Sequence, residues 1–288
     1  MNYNRRSFLK VSGNLAAALA IAPAACKLMG KDAEGEIDPF GLQLYTLRDD
    51  LPNDPRGVLK QVAGFGYKQL EGYEGPQGMF WGMTPADFKK YMDDLGVAFI
   101  ASHCDIKVDF EKKAADAASI GMKYLICPWL GPQQSLDDYK RAADDFNVKG
   151  EICRKNGLRF AYHNHDYSFK PHDGQMPQDV MMSITDKSLV DYELDMYWVV
   201  AAGQDVETWL RKYKDRFRLC HIKDRTKGAT EAADTCTLGE GSIDYAKILK
   251  SAKENGMQYY LVEQEKYTGT TPLKAVEANA EYMRKLRI

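Results

Sequence analysis

The sequence predicts a single-domain α/β protein built as a (β/α)8 TIM barrel, and three observations lead to that prediction. From about residue 40, strand-like apolar segments alternate with amphipathic helical segments eight times over roughly 250 residues, the usual size of this fold. Strict alternation indicates parallel strands joined by helical crossovers. The alternative, a doubly wound open sheet, would bind phosphate in a glycine-rich turn after the first strand, and Leu47-Arg48-Asp49-Asp50 contains no glycine.

Eight short segments supply the predicted strands. They lie at 41–45, 67–73, 97–102, 124–127, 159–165, 190–195, 217–222 and 259–262. Helix start and stop signals separate them: Asp54-Pro55 begins the first helix, and Thr84 is the N-cap of the second, with Pro85 at its first position. The later helices are expected near 110–120, 135–156, 178–185, 205–213, 242–256 and 272–286.

The first 26 residues have the pattern of a signal peptide. Arg5-Arg6-Ser7-Phe8-Leu9-Lys10 is a twin-arginine pattern, and the apolar run after it is too short to span a bilayer. Ala22-Pro23-Ala24 offers a signal-peptidase site, whereas Cys26 after two alanines resembles a lipobox. A buried N-terminal helix is the alternative interpretation.

These features predict the domain organisation and the location of the protein. We expect a twin-arginine signal peptide at 1–26, a polar linker at 27–39 and the catalytic barrel at 40–288. The mature protein is then exported, either free in the periplasm or lipid-anchored at the cell envelope through Cys26. The remaining cysteines show no paired spacing, so we interpret them as core thiols rather than a disulfide framework.

Charge and composition narrow the class of partner. The net charge is −2, so no broad basic field favours nucleic acid or a membrane surface. We expect a small-molecule carbohydrate substrate, no nucleic acid, and membrane contact only through a lipid on Cys26. The sequence leaves open whether the protein forms a homo-oligomer.

Polar and aromatic residues cluster where the predicted strands end, which is the side of such a barrel that carries the chemistry. Four of the five histidines of the chain are among them. The residues at the strand ends, from the first strand to the eighth, are Gln43, Tyr45, Glu71, His103, Trp129, His163, His165, Asp195, Trp198, His221, Lys223, Glu263 and Glu265.

Several of these residue types suit a divalent metal. Histidine nitrogen combined with carboxylate oxygen favours Mn²⁺, Co²⁺, Fe²⁺ or Zn²⁺ over Ca²⁺ or Mg²⁺. The strands that we predict as the fifth to the eighth are adjacent in a closed barrel, so their side chains converge. The expected ligands of one metal ion are therefore one or both of His163 and His165, with Asp195, His221 and Glu263.

Other strand-end residues have a structural interpretation beside the functional one. His103 fits either a hydrogen-bonded core histidine or a substrate-binding group, and Glu71 fits either a solvated loop charge or a base. Trp129 and Trp198 suit outer packing or stacking on the apolar face of a sugar ring. Glu193 shares the face of Asp195 but lies lower in the barrel, where a structural pairing is expected.

Six segments of the sequence together resemble a known family. They are Gly41-Leu42-Gln43-Leu44-Tyr45-Thr46-Leu47-Arg48, Tyr162-His163-Asn164-His165, Glu193-Leu194-Asp195, His221-Ile222-Lys223-Asp224, Gly239-Glu240-Gly241-Ser242-Ile243-Asp244 and Leu261-Val262-Glu263. On these segments the chain resembles the sugar phosphate isomerase/epimerase family with a xylose-isomerase-like barrel. That family includes 3-epimerases of ketoses and inosose dehydratases, and the resemblance spans nearly all of 41–288.

The resemblance implies one divalent metal held by Glu, Asp, His and Glu from strands five to eight. Three of these ligands map onto Asp195, His221 and Glu263, whereas His163 stands where the strand-five glutamate is expected. In the epimerases that glutamate doubles as an acid/base group. The His-Asn-His variant is more similar to the dehydratase-type members and to exported lyases that act on 3-keto-glycosides.

These observations predict a metal-dependent sugar isomerase or epimerase that acts on a non-phosphorylated keto-sugar through an enediolate. Candidate bases are Glu71, His103 and whichever of His163 and His165 does not bind metal, and Lys223 would donate to the oxyanion or leaving group. Gln43, Tyr45, Trp129 and Trp198 would bind the sugar. The alternatives are a 3-keto-glycoside lyase or dehydratase acting by β-elimination, and a non-catalytic periplasmic sugar-binding lipoprotein.

Overall fold

The computed structural model describes residues 35–288, and within them eight parallel strands close into a barrel. The first strand pairs with the second and also with the last, as Gly41 lies opposite both Gln69 and Leu261. The predicted (β/α)8 TIM barrel is therefore confirmed. The predicted signal peptide, most of the predicted linker and Cys26 lie outside the described residues.

The barrel strands follow the predicted order. They are β1 Gly41–Gln43, β2 Gln69–Tyr73, β3 Ala98–His103, β4 Tyr124–Cys127, β5 Arg159–His163, β6 Val190–Asp195, β7 Phe217–Ile222 and β8 Tyr259–Val262. Strands β1 and β5 each end two residues earlier than predicted. A short 3-10 helix follows each of these strands, at Leu44–Leu47 and at Asp166–Phe169.

Nine helices are described between residues 35 and 288. They are α1 Pro55–Gly64, α2 Pro85–Leu95, α3 Phe110–Ser119, α4 Leu136–Lys155, α5 Pro177–Ile184, α6 Met196–Ala201, α7 Val206–Lys212, α8 Tyr245–Glu254 and α9 Pro272–Lys285. Helix α4 begins with a capping box, in which Ser135 and Asp138 each bond the other's backbone N–H. Helix α6 was not predicted, and neither was a small hairpin that pairs Asp224–Arg225 with Thr235–Cys236.

The alternation of side chains along each strand explains how the polar residues reach the mouth of the barrel. A small apolar cluster separate from the main core includes Ala101, Ala161, Leu219 and Leu261. Two residues further along each strand, on the same face, come His103, His163, His221 and Glu263. The apolar cluster therefore closes the barrel beneath a ring of polar residues at its C-terminal end.

The remaining core lies between the strands and the surrounding helices. Behind β5, Phe146 of α4 stacks on Tyr162 with ring centroids 5.1 Å apart, so this helix supports the strand that carries His163.

All five cysteines within 35–288 are free, and only Cys236 is not fully buried, in agreement with core thiols. Among the described helices, none combines the length and the apolar character required to cross a membrane.

Candidate active site

Seven carboxylate and imidazole side chains converge at the C-terminal mouth of the barrel. Each is at least nine-tenths buried, so their charges interact with little screening by water. They come from β2, β3, β5, β6 and β7 and from the residue that follows β8. They are Glu71, His103, His163, Glu193, Asp195, His221 and Glu263.

Glu193 lies at the centre of this group. Its Oε2 is 2.7 Å from His103 Nε2, 3.0 Å from His163 Nδ1 and 3.4 Å from His221 Nε2. Burial opposes ionisation of this carboxyl, but the charges of His221 and His103 outweigh it and hold the pKa of Glu193 well below its usual range. Glu193 is thus an anion that orients three imidazoles, a larger role than the structural pairing expected from the sequence.

Glu71 supports the same array from the opposite side of the barrel. Its Oε1 lies 2.8 Å from His221 Nε2 and 3.2 Å from His103 Nε2, and it accepts a hydrogen bond from the Gln43 amide. Burial and the nearby Glu193 carboxylate raise the pKa of Glu71 to about 7. Glu71 and Gln43 are fully buried and do not line the cavity described below, so the structure places both beneath the substrate space.

Asp195, His221 and Glu263 form the part of the array that best suits a metal. Each offers one ligand atom, and these atoms all lie within 4.8 Å of one another. His221 Nδ1 is 2.9 Å from Glu263 Oε2 and 3.6 Å from Asp195 Oδ2, and His163 Nε2 faces the same Asp195 oxygen at 3.7 Å. Two carboxylates and two imidazoles are a donor set that Mn²⁺, Fe²⁺, Co²⁺ and Zn²⁺ accept, so the residues present fit the expected metal.

Lys223 shares two of those carboxylates. Its Nζ lies 2.8 Å from Asp195 Oδ2 and 2.7 Å from Glu263 Oε2, and also 2.6 Å from Glu265 Oε1. Burial alone would lower the pKa of this ammonium, but the carboxylates, Asp195 first among them, hold it well above its usual range. Lys223 is therefore a fixed cation that competes with a metal for Asp195 and Glu263, and Glu265 is a third carboxylate toward which it can turn.

His165 sits apart from the carboxylates, among aromatic rings. Its ring centroid lies 4.4 Å from that of Trp129, 5.3 Å from that of Trp198 and 5.8 Å from that of Tyr167. Burial lowers the pKa of His165 to about 2, so the imidazole is neutral at physiological pH. Its Nδ1 is buried and has no hydrogen-bond partner within the described structure, which leaves that atom available to a ligand.

A cavity of about 400 Å³ opens above the array. Of the residues selected from the sequence, those that line it are Tyr45, His103, Trp129, His163, His165, Lys223, Glu263 and Glu265. Tyr45 and Trp129 are 41% and 57% exposed, so their rings are available to stack on a sugar. The predicted sugar-binding residue Trp198 is instead buried in the wall, where its backbone N–H donates to Asp195 Oδ1 at 3.1 Å.

Some residues of the cavity were not singled out from the sequence. Tyr73 and Glu74 at the end of β2, Cys104 and Asp105 after β3, and Pro128 after β4 complete its lining. Their position just after predicted strands was the available signal, but loop residues have no periodicity that indicates which side they face.

The chain is similar to one family of known proteins over most of its length. Residues 59–286 match the model of a family described as xylose isomerase-like TIM barrel. Inosose dehydratase of Clostridium perfringens is 28% identical over 144 residues, or 45% of this chain and 48% of the relative, so the chain spans about half the length of that relative. Inosose dehydratase of Lacticaseibacillus casei is 25% identical over 254 residues, which cover 74% of this chain and 84% of the relative.

A solved structure extends the similarity over nearly the whole chain. The crystal structure of a sugar phosphate isomerase/epimerase from Parabacteroides distasonis superposes with a TM-score of 0.72 at 30% identity. The match covers 91% of this chain and 97% of that one.

Proposed function

We propose, from the premise that this chain belongs to the xylose isomerase-like TIM barrel family, that it removes the proton next to the carbonyl of a non-phosphorylated keto-sugar. The observation that carries the proposal is the buried array around Glu193, in which carboxylates and imidazoles share protons directly below a sugar-sized cavity. A protein that only binds sugar has no need to desolvate so many ionisable groups.

The proposed substrate is a 3-keto-glycoside, and the proposed outcome is β-elimination. Two features support elimination over epimerisation: the matched curated relatives are named dehydratases, and His163 stands where the epimerases are expected to have a glutamate. The C2–H bond breaks and its electrons form an enediolate across C2 and C3. The C1–O bond then breaks, its electron pair leaves on the aglycone oxygen, and the C3 carbonyl reforms beside a C1=C2 double bond.

His103 is the group that we assign to the C2 proton. It lines the cavity, and it is held between Glu193 and Glu71. Burial opposes the charged imidazole, but these two carboxylates outweigh burial and raise the pKa of His103 above its usual value. The imidazole is therefore a stronger base than an exposed histidine, and Glu193 stabilises the imidazolium that forms.

Lys223 and the candidate metal ligands act on the oxygen side of the reaction. Lys223 lines the cavity and supplies a fixed positive charge and a proton donor for the departing oxygen. Asp195, His221, Glu263 and His163 would hold one divalent ion, which when bound polarises the sugar carbonyl as a Lewis acid. Tyr45 and Trp129 would orient the ring by stacking.

The test combines metal analysis with turnover of matched substrates. We expect the purified protein to hold about one divalent ion per chain and to convert methyl 3-keto-glucoside into methanol and an unsaturated keto-sugar. His221→Ala should lose the ion while keeping the fold. Turnover of a sugar phosphate but not of the keto-glycoside would contradict the proposal, and sugar binding without any chemistry would identify a binding protein instead.

We further propose that the protein is exported, on the strength of the twin-arginine pattern at Arg5 and Arg6. Export supports the choice of a non-phosphorylated substrate, because phosphosugars are cytoplasmic metabolites. Replacing both arginines with lysine should retain the protein in the cytoplasm in a cell-fractionation experiment. Cys26→Ala should release it from the membrane fraction if the lipid anchor exists, and leave its distribution unchanged if it does not.

A further inference from the structure

A second cavity lies beside the first and is not needed to hold one sugar ring. Its volume is about 620 Å³, and it lies between the segments that follow β3 and β4 and the first half of α4. The first cavity, at about 400 Å³, is at the small end of the range of roughly 300–1,000 Å³ typical of ligand pockets. The second cavity therefore offers additional space for a group attached to a sugar held in the first.

The two cavities share a wall. Cys104, Asp105, Pro128 and Trp129 line both of them, so a group that leaves the first cavity across Trp129 enters the second. The Trp129 side chain is 57% exposed, and its ring lies edge-on against His165 at 4.4 Å between centroids. One indole thus contacts the space of the reacting sugar and the space next to it.

The lining of the second cavity indicates what it would hold. Its apolar lining includes the partly buried Leu130 and the buried Ile106 and Phe146. Charged residues of both signs surround this surface, and Arg141 is already paired with Asp138. Because the charges nearly balance and the exposed Trp129 indole offers a flat apolar face, the lining favours an uncharged ring over an anion or a cation.

We infer that the second cavity is the subsite for the leaving group of a glycoside, and that this group is an uncharged ring. The inference rests on the proposed function, since the keto-sugar in the first cavity supplies the bond to that group. It predicts a preference for glycosides with a ring-sized aglycone over methyl glycosides, both of which carry the bond that the elimination breaks.

The test compares cyclohexyl 3-keto-glucoside with methyl 3-keto-glucoside, since both leave as simple alcohols and differ mainly in size. We expect the KM and the Kd of the wild-type protein to be at least about tenfold lower for the cyclohexyl glycoside, as its ring buries apolar surface in the second cavity. Ala142→Phe, which adds a ring to the half-buried α4 side of this cavity, should abolish the preference without changing the constants for the methyl glycoside.

Two further variants keep the result interpretable. Val148→Phe adds the same ring to a 57% exposed position of α4 outside the cavity, and it should leave both substrates unaffected. Leu130→Ala removes apolar lining without adding bulk and should weaken the preference even if Ala142→Phe fails to fold. Equal constants for the two glycosides in the wild type, or equal losses for both in Ala142→Phe, would overturn the inference.

The outcome separates this inference from the proposed function. If neither glycoside is turned over, the proposed elimination fails, but a cyclohexyl preference in the binding titration still supports the subsite. If both are turned over with equal constants, the elimination stands and the subsite is refuted.

Discussion

Glu193→Gln tests whether the central carboxylate orients and charges the catalytic imidazole. The substitution keeps the shape of the side chain, removes its negative charge and replaces one acceptor oxygen with an NH2 donor. In the wild-type protein the carboxylate accepts from His103 at 2.7 Å and from His163 at 3.0 Å, and burial prevents water from replacing it. We therefore expect the variant to fold and to lose rate rather than stability.

The magnitude follows from the hydrogen bond to His103, because that imidazole becomes charged when it takes the proton. A bond to a charged partner contributes about 1.5–3 kcal/mol and a neutral one about 0.5–1.5 kcal/mol, so the transition state loses about 1–1.5 kcal/mol when the carboxylate becomes an amide. This loss corresponds to a fall of roughly 5- to 13-fold in kcat/KM. The same change removes one of the two anions that raise the pKa of His103, so that pKa should fall.

The assay is the pH dependence of loss of label from methyl 3-keto-glucoside deuterated at C2. In the wild type the rate should rise with pH through a midpoint above 6.5, because the base must be neutral and its pKa is raised. In Glu193→Gln the limiting rate should fall and the midpoint should move to lower pH. A variant that loses rate with an unchanged midpoint, or that keeps more than a third of wild-type activity, would refute this role for Glu193.

Two further predictions concern stability and metal affinity. Burial lowers the pKa of His163 to about 4 and that of His165 to about 2, so below pH 6.5 the unfolded state binds up to two protons that the folded state does not. The pKa of Glu71 is raised to about 7 in the folded state, so the folded state binds one proton there and offsets one of the two. The net difference is one proton, so the unfolding free energy of the metal-free protein should fall by about 3 kcal/mol between pH 6.5 and 4.5, as measured by urea denaturation. An unfolding free energy that stays constant or rises on acidification would contradict these pKa shifts. Lys223→Met removes the competing ammonium and should tighten Mn²⁺ binding at least about tenfold in a calorimetric titration. Lys266→Met, at an exposed ion pair, is the matched control, and an equal response of both variants would contradict competition at the site.

The fold was largely predictable from the sequence, and the differences between the predicted and observed elements have physical causes. Four strands, β4 and β6 to β8, have the predicted bounds, because each is a short apolar segment whose length matches one strand. The predicted strand at 159–165 was too long, because the polar residues that end it lie in extended backbone before a 3-10 turn. Helix α6 was not predicted, because Met196–Ala201 follows β6 directly and no loop separates them. Asp195 is both the last residue of the strand and the N-cap of the helix.

The sequence indicated which side chains meet at the barrel mouth better than it indicated their arrangement. The rule that chemistry lies at strand ends selected His103, His163 and His221, and the structure brings these three side chains together. That rule could not predict the central position of Glu193. The two-residue period of a strand indicates which face a side chain takes, but not which side chains it contacts across the barrel. The pairing of Lys223 with Asp195 and Glu263 depends likewise on the barrel's register.

The most direct test of the central claim follows the proton at C2. Metal-loaded protein is incubated with methyl 3-keto-glucoside deuterated at C2, and deuterium released into water is measured by NMR together with product. The proposed elimination predicts that every turnover releases the label, because C2 carries no hydrogen in the unsaturated product, and that His103→Gln abolishes the release without abolishing sugar binding. Product that retains its deuterium at C2, or bound substrate whose label is never released, would contradict elimination at this site.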